Sequence, residues 1–251
     1  MSMRFKRIVL VGATLLAACP VLALAETAGD ILKAADRFRA SSVDMRLDTS
    51  ISTFDREGKP LKDRLYTVYA QSRHRSLVIM QSPSEKGQKV LMLGDDFWLI
   101  MPGSARPMRI TPMQKLLGDA STGDVATMSW SEDYSAQIVG EEQCDGAACT
   151  HLRLDASRKG VTYQRIELWV GKERRQPIRA DLYVQSDKLA KQARFVMDKP
   201  GAPTAVAEMV LADKLSNHRE TRIRYLARKE RTVPEAWLNP MFLASTASLD
   251  E

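Results

Sequence analysis

The chain has 251 residues, of which 44% are hydrophobic and 27% are charged. This apolar content is enough to offset the entropy lost when the chain is ordered, so an intrinsically disordered protein is excluded. The formal net charge is +6, from 37 Lys and Arg against 31 Asp and Glu, and the length favours one domain, since all-β folds of this size are often single.

Residues 1–25 have the three parts of a secretory signal peptide. Three basic residues precede the apolar run 8–18, which is too short to span a bilayer, and an A-x-A site ends at Ala25. Removal of this segment leaves residues 26–251 with 34 basic and 31 acidic side chains. The remaining net charge of +3 is no argument for a nucleic-acid partner, and the mature protein is expected in the periplasm.

A second interpretation of the same segment stays open. Residues 16–19 read Leu-Ala-Ala-Cys, the form of a bacterial lipobox, in which Cys19 would be lipidated and would anchor the protein to a membrane. Pro20 follows directly and the apolar run continues to Ala25, which favours cleavage after Ala25. A soluble periplasmic protein is the first expectation, and a membrane-anchored lipoprotein is the alternative.

The mature chain is predicted to begin with one helix and to continue as strands. Apolar residues recur at helical spacing in residues 27–40, with Thr27 as the N-cap. From Val43 to Ile51 apolar and polar side chains alternate, which is the period of a half-buried strand. Further strand-like segments follow at short intervals: 65–72, 76–80, 89–93, 96–101, 134–140, 150–156, 163–170, 177–185, 191–197, 205–212 and 220–227. About twelve short strands predict a barrel or sandwich.

The segment 102–133 interrupts this series of strands. It is too long for an ordinary connection, and it carries apolar side chains that a plain loop would not expose. Residues 112–117 predict a short helix with Pro112 at its first position, and residues 123–130 predict a second helix. We expect these helices to form a lid over the sheet.

Cys144 and Cys149 are the two cysteines that remain after removal of the signal peptide. They flank residues 145–148 between two alternating stretches, which is the spacing of a disulfide across a hairpin tip in an exported protein. A zinc site is the alternative, but only His151 offers a further ligand nearby. The sequence therefore predicts a disulfide and no metal site.

Motifs for catalysis are scarce. His74, His151 and His218 are far apart in the sequence, and none of them has metal-ligand spacing. The sequence contains no G-x-S-x-G, no glycine-rich phosphate loop and no metal-type acidic cluster. We expect a protein that is not an enzyme and has no cofactor.

Methionine is concentrated in the middle of the chain. Six methionines fall in the window 80–128, together with Phe97 and Trp98 and, just beyond it, Trp130. The flexible thioether adapts to ligands of variable shape such as acyl chains, although core filling is the alternative for any single methionine. The candidate lining of an apolar cavity comprises Phe97, Trp98, Met101, Met108, Met113, Leu116, Leu117, Met128 and Trp130.

Arg222, Arg224 and Arg228 share strand parity near the C-terminus. Side chains of one parity lie on one face of a strand. The spacing thus predicts a basic row that faces anionic head groups or a partner, with ordinary solvation of an outer strand face as the alternative.

Three stretches together resemble a known family. They are the helix AGDILKAADRFRA at residues 28–40, the segment DDFWLIMP at residues 95–102, and RPMRI at residues 106–110. These are similar to the bacterial outer-membrane lipoprotein-sorting protein family, the LolA-like superfamily, over most of residues 26–243. The resemblance implies a mainly β protein: a half-open antiparallel β-barrel of about 11–12 strands, with an N-terminal helix and a helical lid, around an apolar cavity.

What the resemblance implies for function is a periplasmic carrier or chaperone that shields lipids or lipoprotein acyl chains in outer-membrane lipoprotein sorting or lipid transport. Besides the acyl chains, its partners would be an inner-membrane exporter and an outer-membrane acceptor. The alternative is a periplasmic regulatory subunit of the same fold, which senses envelope stress or lipid and passes the result to a membrane regulator.

Overall fold

The computed structural model describes residues 26–39, 44–55, 57–117, 120–126, 129–214, 220–246 and 249, with only the backbone described at 115–117. The predicted signal peptide, Cys19 and Met128 lie outside these residues. None of the helices in the described part of the chain is long and apolar enough to cross a membrane.

Helix α1 (Ala28–Asp36) opens the fold, as predicted. Thr27 begins it with a capping box, in which the Thr27 hydroxyl accepts a hydrogen bond from the Asp30 backbone N–H and the Asp30 carboxylate accepts one from the Thr27 N–H. Ile31, Leu32 and Ala35 are buried against the sheet. The helix is shorter than the predicted range, because residues 37–39 form a turn.

In the described part of the chain, thirteen of the fifteen strands form one antiparallel sheet, which confirms the predicted fold class. The strands are β1 (Met45–Phe54), β2 (Pro60–Gln71), β3 (Arg75–Met80), β4 (Lys89–Leu93), β5 (Asp96–Ile100), β6 (Met108–Ile110), β7 (Lys115–Leu117), β8 (Ala120–Ser121), β9 (Tyr134–Cys144), β10 (Ala147–Ala156), β11 (Arg165–Gly171), β12 (Pro177–Tyr183), β13 (Leu189–Met197), β14 (Val206–Asp213) and β15 (Glu220–Glu230). Their order is β6-β5-β4-β3-β2-β1-β15-β14-β13-β12-β11-β10-β9, so the barrel is left open between the edge strands β6 and β9.

Two meanders meet in the middle of this sheet. Strands β1–β6 form the first meander and β9–β15 form the second, and they are joined where β1 pairs with β15 from Met45↔Glu230 to Phe54↔Glu220. The edges of the sheet therefore come from the middle of the chain. The segment between β6 and β9 lies where the barrel is open.

The two faces of the sheet pack against different parts of the chain. The inner face, which carries Leu47, Val68 and Val78, forms the main core with α1 and the segment before β9. The outer face of β2–β5 is covered by the C-terminal segment, a 3-10 helix (Glu235–Leu238) followed by helix α3 (Pro240–Ser245). Trp237 lies edge-on to Tyr69 of β2, with 5.5 Å between ring centroids.

The segment 102–133 differs from its prediction. The predicted helix at 112–117 is wrong: residues 111–114 form a turn, in which the Gln114 N–H donates to the Thr111 carbonyl at 3.0 Å, and β7 pairs with β8. A six-residue helix supplies few internal hydrogen bonds, and pairing with β8 satisfies the backbone instead. The second predicted helix exists in a shorter form, α2 (Thr122–Ala126).

Charged side chains connect the two meanders at one end of the barrel. The buried Asp133 carboxylate, just before β9, lies 2.9 Å from the His74 Nε2 in the β2–β3 turn and 2.5 Å from the Arg158 Nε after β10. Arg158 also pairs with Asp95 of the β4–β5 turn. Gly160 is required there, because a Cβ at this position would lie 2.5 Å from the Asp95 Cα.

The disulfide between Cys144 and Cys149 is present, as predicted. It closes the β9–β10 hairpin, whose two turn residues Asp145 and Gly146 both have positive φ, 51° and 84°. This is the conformation of a two-residue type I′ turn, for which Asp-Gly is a favoured pair. The cysteines are buried beside Trp169.

Replacing both cysteines by alanine is expected to lower the free energy of unfolding by about 2 kcal/mol, because the disulfide restricts the unfolded chain. Urea denaturation of the mature protein measures this loss. Dithiothreitol should lower the midpoint of the wild type to a similar extent and leave the variant unchanged. A wild-type midpoint that does not respond to the reductant would contradict the prediction.

Candidate functional site

Among the described residues, the inner face of the sheet lines a cavity of about 40 Å³. The lining consists of Arg39, Gly123, Asp124, Trp130, Tyr134, Thr162, Tyr163, Ile166, Leu182, Ala193, Phe195 and Met209. Ligand pockets usually have volumes of about 300–1,000 Å³, so this cavity is too small to hold an acyl chain. Between these lining residues the inner face therefore leaves no space for such a ligand.

A plug lies on the inner face, and it consists of the paired strands β7 and β8 with α2, described at residues 111–117 and 120–126. All five residues of α2 are buried. The close approach of α2 to Thr162, which lies between β10 and β11, depends on Gly123. A Cβ at position 123 would lie 1.7 Å from the Thr162 hydroxyl oxygen and 3.2 Å from the Pro112 carbonyl oxygen. The plug is packed into the barrel, whereas the predicted lid would lie over it.

A buried ion pair fixes the plug to the sheet. The Asp124 Oδ2 of α2 lies 2.5 Å from the Lys191 Nζ of β13, and both side chains are only 3% exposed. The same oxygen accepts hydrogen bonds from the Ser121 N–H at 2.8 Å and hydroxyl at 2.7 Å. The Asp124 Oδ1 accepts from the Tyr163 hydroxyl at 2.7 Å. The carboxylate is therefore satisfied on both oxygens, as a buried charge must be.

The protonation states of this cluster follow from its contacts. Burial by itself would raise the pKa of the Asp124 carboxyl, but the Lys191 ammonium and the hydrogen bonds from Lys191, Ser121 and Tyr163 outweigh it and hold the pKa below its ordinary value. Burial and the neighbouring Asp124 carboxylate raise the pKa of the Tyr163 hydroxyl, so Tyr163 remains a donor at neutral pH.

A second carboxylate anchors the chain that leaves the plug. Asp36, at the end of α1, accepts hydrogen bonds from the backbone N–H groups of Trp130 at 2.9 Å and Ser131 at 2.7 Å. The Arg39 guanidinium lies 3.8 Å from the centroid of the Trp130 ring. The plug is thus held to β13 by its helix and to α1 by the residues that follow it.

The structure brings three of the sequence-predicted lining residues to the inner face. Phe97 and Trp130 are buried in the main core, and Met113 is partly buried against it. Trp98 lies on the opposite face of β5, where it packs with the C-terminal segment and with Arg109, whose guanidinium is 4.7 Å from the ring centroid. Phe97 and Trp98 are adjacent on a strand, so they cannot share a face.

The other predicted lining residues are distributed differently. Met101 is half-buried just after β5, and Met108 on the edge strand β6 is 48% exposed. Leu116 and Leu117 belong to β7, where only the backbone is described, and Met128 lies outside the described residues.

Asp124, Lys191 and Asp36 are the important inner residues that the sequence reasoning missed. Lys191 alternates with Ala193 and Phe195, both on the inner face, so its parity placed a lysine in the core. A charged residue at an inward position is a signal for a buried partner. The identity of that partner, 67 residues away, has no local signal.

The fold is found in solved structures. A LolA superfamily protein from Nitrosomonas europaea is 28% identical and superposes with a TM-score of 0.77, over 85% of this chain and 97% of that one. A family model described as "Uncharacterized protein" matches residues 72–245. The chain belongs to this family and to the LolA-like superfamily.

Two more distant structures share the fold of this LolA-like protein. An outer-membrane lipoprotein-sorting protein domain from Vibrio parahaemolyticus is 16% identical with a TM-score of 0.68, over 86% of this chain and 98% of that one. A DUF1329 family protein from Desulfovibrio piger is 23% identical with a TM-score of 0.66, over 85% and 98%. No curated protein is significantly similar to the sequence.

Replacing Lys191 by Met is expected to destabilise the protein by about 3–5 kcal/mol, because it leaves the Asp124 carboxylate buried without its cation. The double variant Asp124→Asn/Lys191→Met should recover most of this loss. Lys188→Met, in the exposed β12–β13 turn, is the control and should change stability by less than about 0.5 kcal/mol. Chemical denaturation of the four proteins gives the values.

The stability difference between the wild type and Asp124→Asn should depend on pH. Because the folded-state pKa of Asp124 lies below the unfolded value of about 3.9, the stabilisation by the carboxylate is complete above about pH 4 and is lost as pH falls through the folded-state pKa. The two proteins should therefore converge in acid. A constant difference down to pH 2 would show that the ionised Asp124 contributes nothing.

Proposed function

We propose that this LolA-like protein is a periplasmic carrier or chaperone that shields lipids or lipoprotein acyl chains on the inner face of its half-open barrel. Supporting this proposal are the fold, the 28% identity to a LolA superfamily protein and the shared fold of a lipoprotein-sorting domain. The observation that carries it is the small, largely apolar cavity beneath a plug that forms a separate hairpin and helix.

Movement of the plug would turn the small cavity into an acyl-chain site. Ile166, Leu182, Phe195 and Met209 line the cavity on the sheet side, and they would be exposed when α2 leaves. Burial of each methylene contributes about 0.8 kcal/mol, so complete burial of several chains would bind too tightly for release. A site that shields part of the cargo, and that the plug refills afterwards, allows both uptake and delivery.

Within this proposal, the partners are an inner-membrane exporter that loads the carrier and an outer-membrane acceptor that unloads it. A carrier of this kind binds and releases its cargo without changing it chemically. Movement of the plug, and no catalytic step, is then the event that controls uptake.

A disulfide across the plug tests the proposal. In Gly123→Cys/Thr162→Cys the two Cβ atoms would lie 3.0 Å apart, so a shift of about 0.5 Å reaches disulfide geometry. The oxidised variant should extract no pyrene-labelled phospholipid from vesicles of phosphatidylethanolamine and phosphatidylglycerol. The reduced variant should extract it at least as fast as the wild type, because the plug is no longer tied and the added Cβ at position 123 loosens its packing.

The wild type under the same oxidising and reducing conditions is the control for the native disulfide, and a thiol count verifies the new one. As a second variant, Lys191→Met leaves the buried Asp124 carboxylate of α2 without its cation and should extract lipid faster than the wild type. Equal extraction by the oxidised and reduced forms, or none by the wild type, would contradict the carrier proposal.

The mature N-terminus is tested separately. Cleavage after Ala25 gives a soluble chain that begins at Glu26, whereas processing at Cys19 gives a chain that carries acyl groups. The intact mass of the protein isolated from cell envelopes is expected to match residues 26–251. A mass increased by two or three acyl chains would instead identify a membrane-anchored lipoprotein.

A further inference from the structure

A larger groove lies on the outer face of the sheet, on the side opposite to the plug. This outer groove has a volume of about 650 Å³, within the usual range for ligand sites. The lining includes Arg46, Leu65, Ile79, Lys89, Leu226 and Leu249. It thus crosses strands β1–β4 and β15 and ends at the C-terminal segment.

Part of the outer groove is apolar and open to solvent. Leu65 of β2 is 46% exposed and Leu226 of β15 is 58% exposed. Leu226 lies at a β-bulge, between the pairs Asp48↔Ala227 and Thr49↔Tyr225, so it has no partner residue in β1. Together with Ile79 these leucines offer a path for an apolar chain along the sheet.

A lysine of β4 lies at one end of this apolar path on the outer face. Lys89 is only 4% exposed, and its Nζ donates one hydrogen bond, to the Thr246 carbonyl at 3.3 Å. No carboxylate of the described residues lies within ion-pair distance of it, and burial lowers its pKa. An ammonium group has three N–H donors, so Lys89 retains capacity for an anion.

Three other charged residues, Lys86, Arg46 and Asp48, line the outer groove. Of these, Arg46 is paired with Asp48 at 3.1 Å. The two lysines therefore outweigh the carboxylate in the lining. An elongated apolar path that ends at a buried, unneutralised ammonium group matches a molecule with one apolar chain and one anionic end.

We propose that the outer groove binds a single-chain amphiphile with one anionic head group, a carboxylate or a phosphate, with the head group at Lys89 and the chain along Leu65, Ile79 and Leu226. The head group would supply the charge-assisted hydrogen bonds that Lys89 lacks. This site is distinct from the inner-face cavity of the proposed carrier function, and it stays accessible while the plug is closed.

Calorimetric titration of the mature protein with dodecanoate, dodecyl phosphate and dodecanol tests the site, with the two anions below their micellar concentrations and the alcohol below its solubility limit. The two anions should bind more tightly than the alcohol, and the tighter of the two identifies the preferred head group. Lys89→Met should weaken both anions by roughly tenfold or more, the effect of losing a charged hydrogen bond, and leave dodecanol unchanged. Lys59→Met, at an exposed lysine of the β1–β2 turn, is the control and should change nothing.

A second variant addresses the apolar path. Leu226→Glu changes an exposed residue and should leave the melting temperature nearly unchanged, while it weakens all three ligands because a carboxylate lies beside the chain. Unchanged affinity for the anions in Lys89→Met would overturn the proposal, and a lower melting temperature in that variant would then assign Lys89 to holding Thr246.

The oxidised Gly123→Cys/Thr162→Cys variant separates the two sites. Dodecanoate binding that persists in this variant and is lost in Lys89→Met supports the outer groove, whatever the result for phospholipid extraction. Binding that is lost in the oxidised variant and retained in Lys89→Met places the ligand on the inner face. That result would overturn the outer site and leave the carrier proposal intact. The outer site would also be overturned if neither anion bound to the wild type.

Discussion

Antiparallel pairing between β1 and β15 is the interaction on which the rest of the architecture depends. It joins two meanders into one sheet, so the strands nearest the ends of the described chain lie at the centre and the edges come from the middle. Unpaired edges and an open barrel expose backbone groups and apolar side chains, which a protein must cover. The chain between β6 and β9 connects those edges, and it is therefore the part of the chain available to fill the opening.

The way in which the plug is held is consistent with a cover that moves. Apolar packing alone is strong and non-directional, whereas the Asp124–Lys191 pair places α2 at one position and is weak in net stabilisation, because both charges lose their hydration. A second polar contact, from Asp36 to the backbone at 130–131, holds the following residues. The polar contacts thereby give the plug one defined position, while Val125 and Ala126 of α2 pack in the main core.

The two faces of the sheet have separate roles because side chains alternate along each strand. On β13 and β5 the inner positions are occupied by core residues such as Phe195 and Phe97, while the next residue points outward. The β-bulge at Leu226 interrupts this alternation. As a result Arg228 turns to the carbonyls of Phe38 and Val206, and the basic row predicted for Arg222, Arg224 and Arg228 is not formed.

Features that depend on neighbours in the sequence were determined by the sequence itself. The capping box at Thr27 and the turn at Asp145-Gly146 with its two flanking cysteines involve residues within five positions of each other. The tertiary structure alone decided that residues 115–117 pair with residues 120–121 and that Asp124 meets Lys191. Short segments have no strong preference of their own, and a buried charge is stable only beside a partner that folding brings from a distant strand.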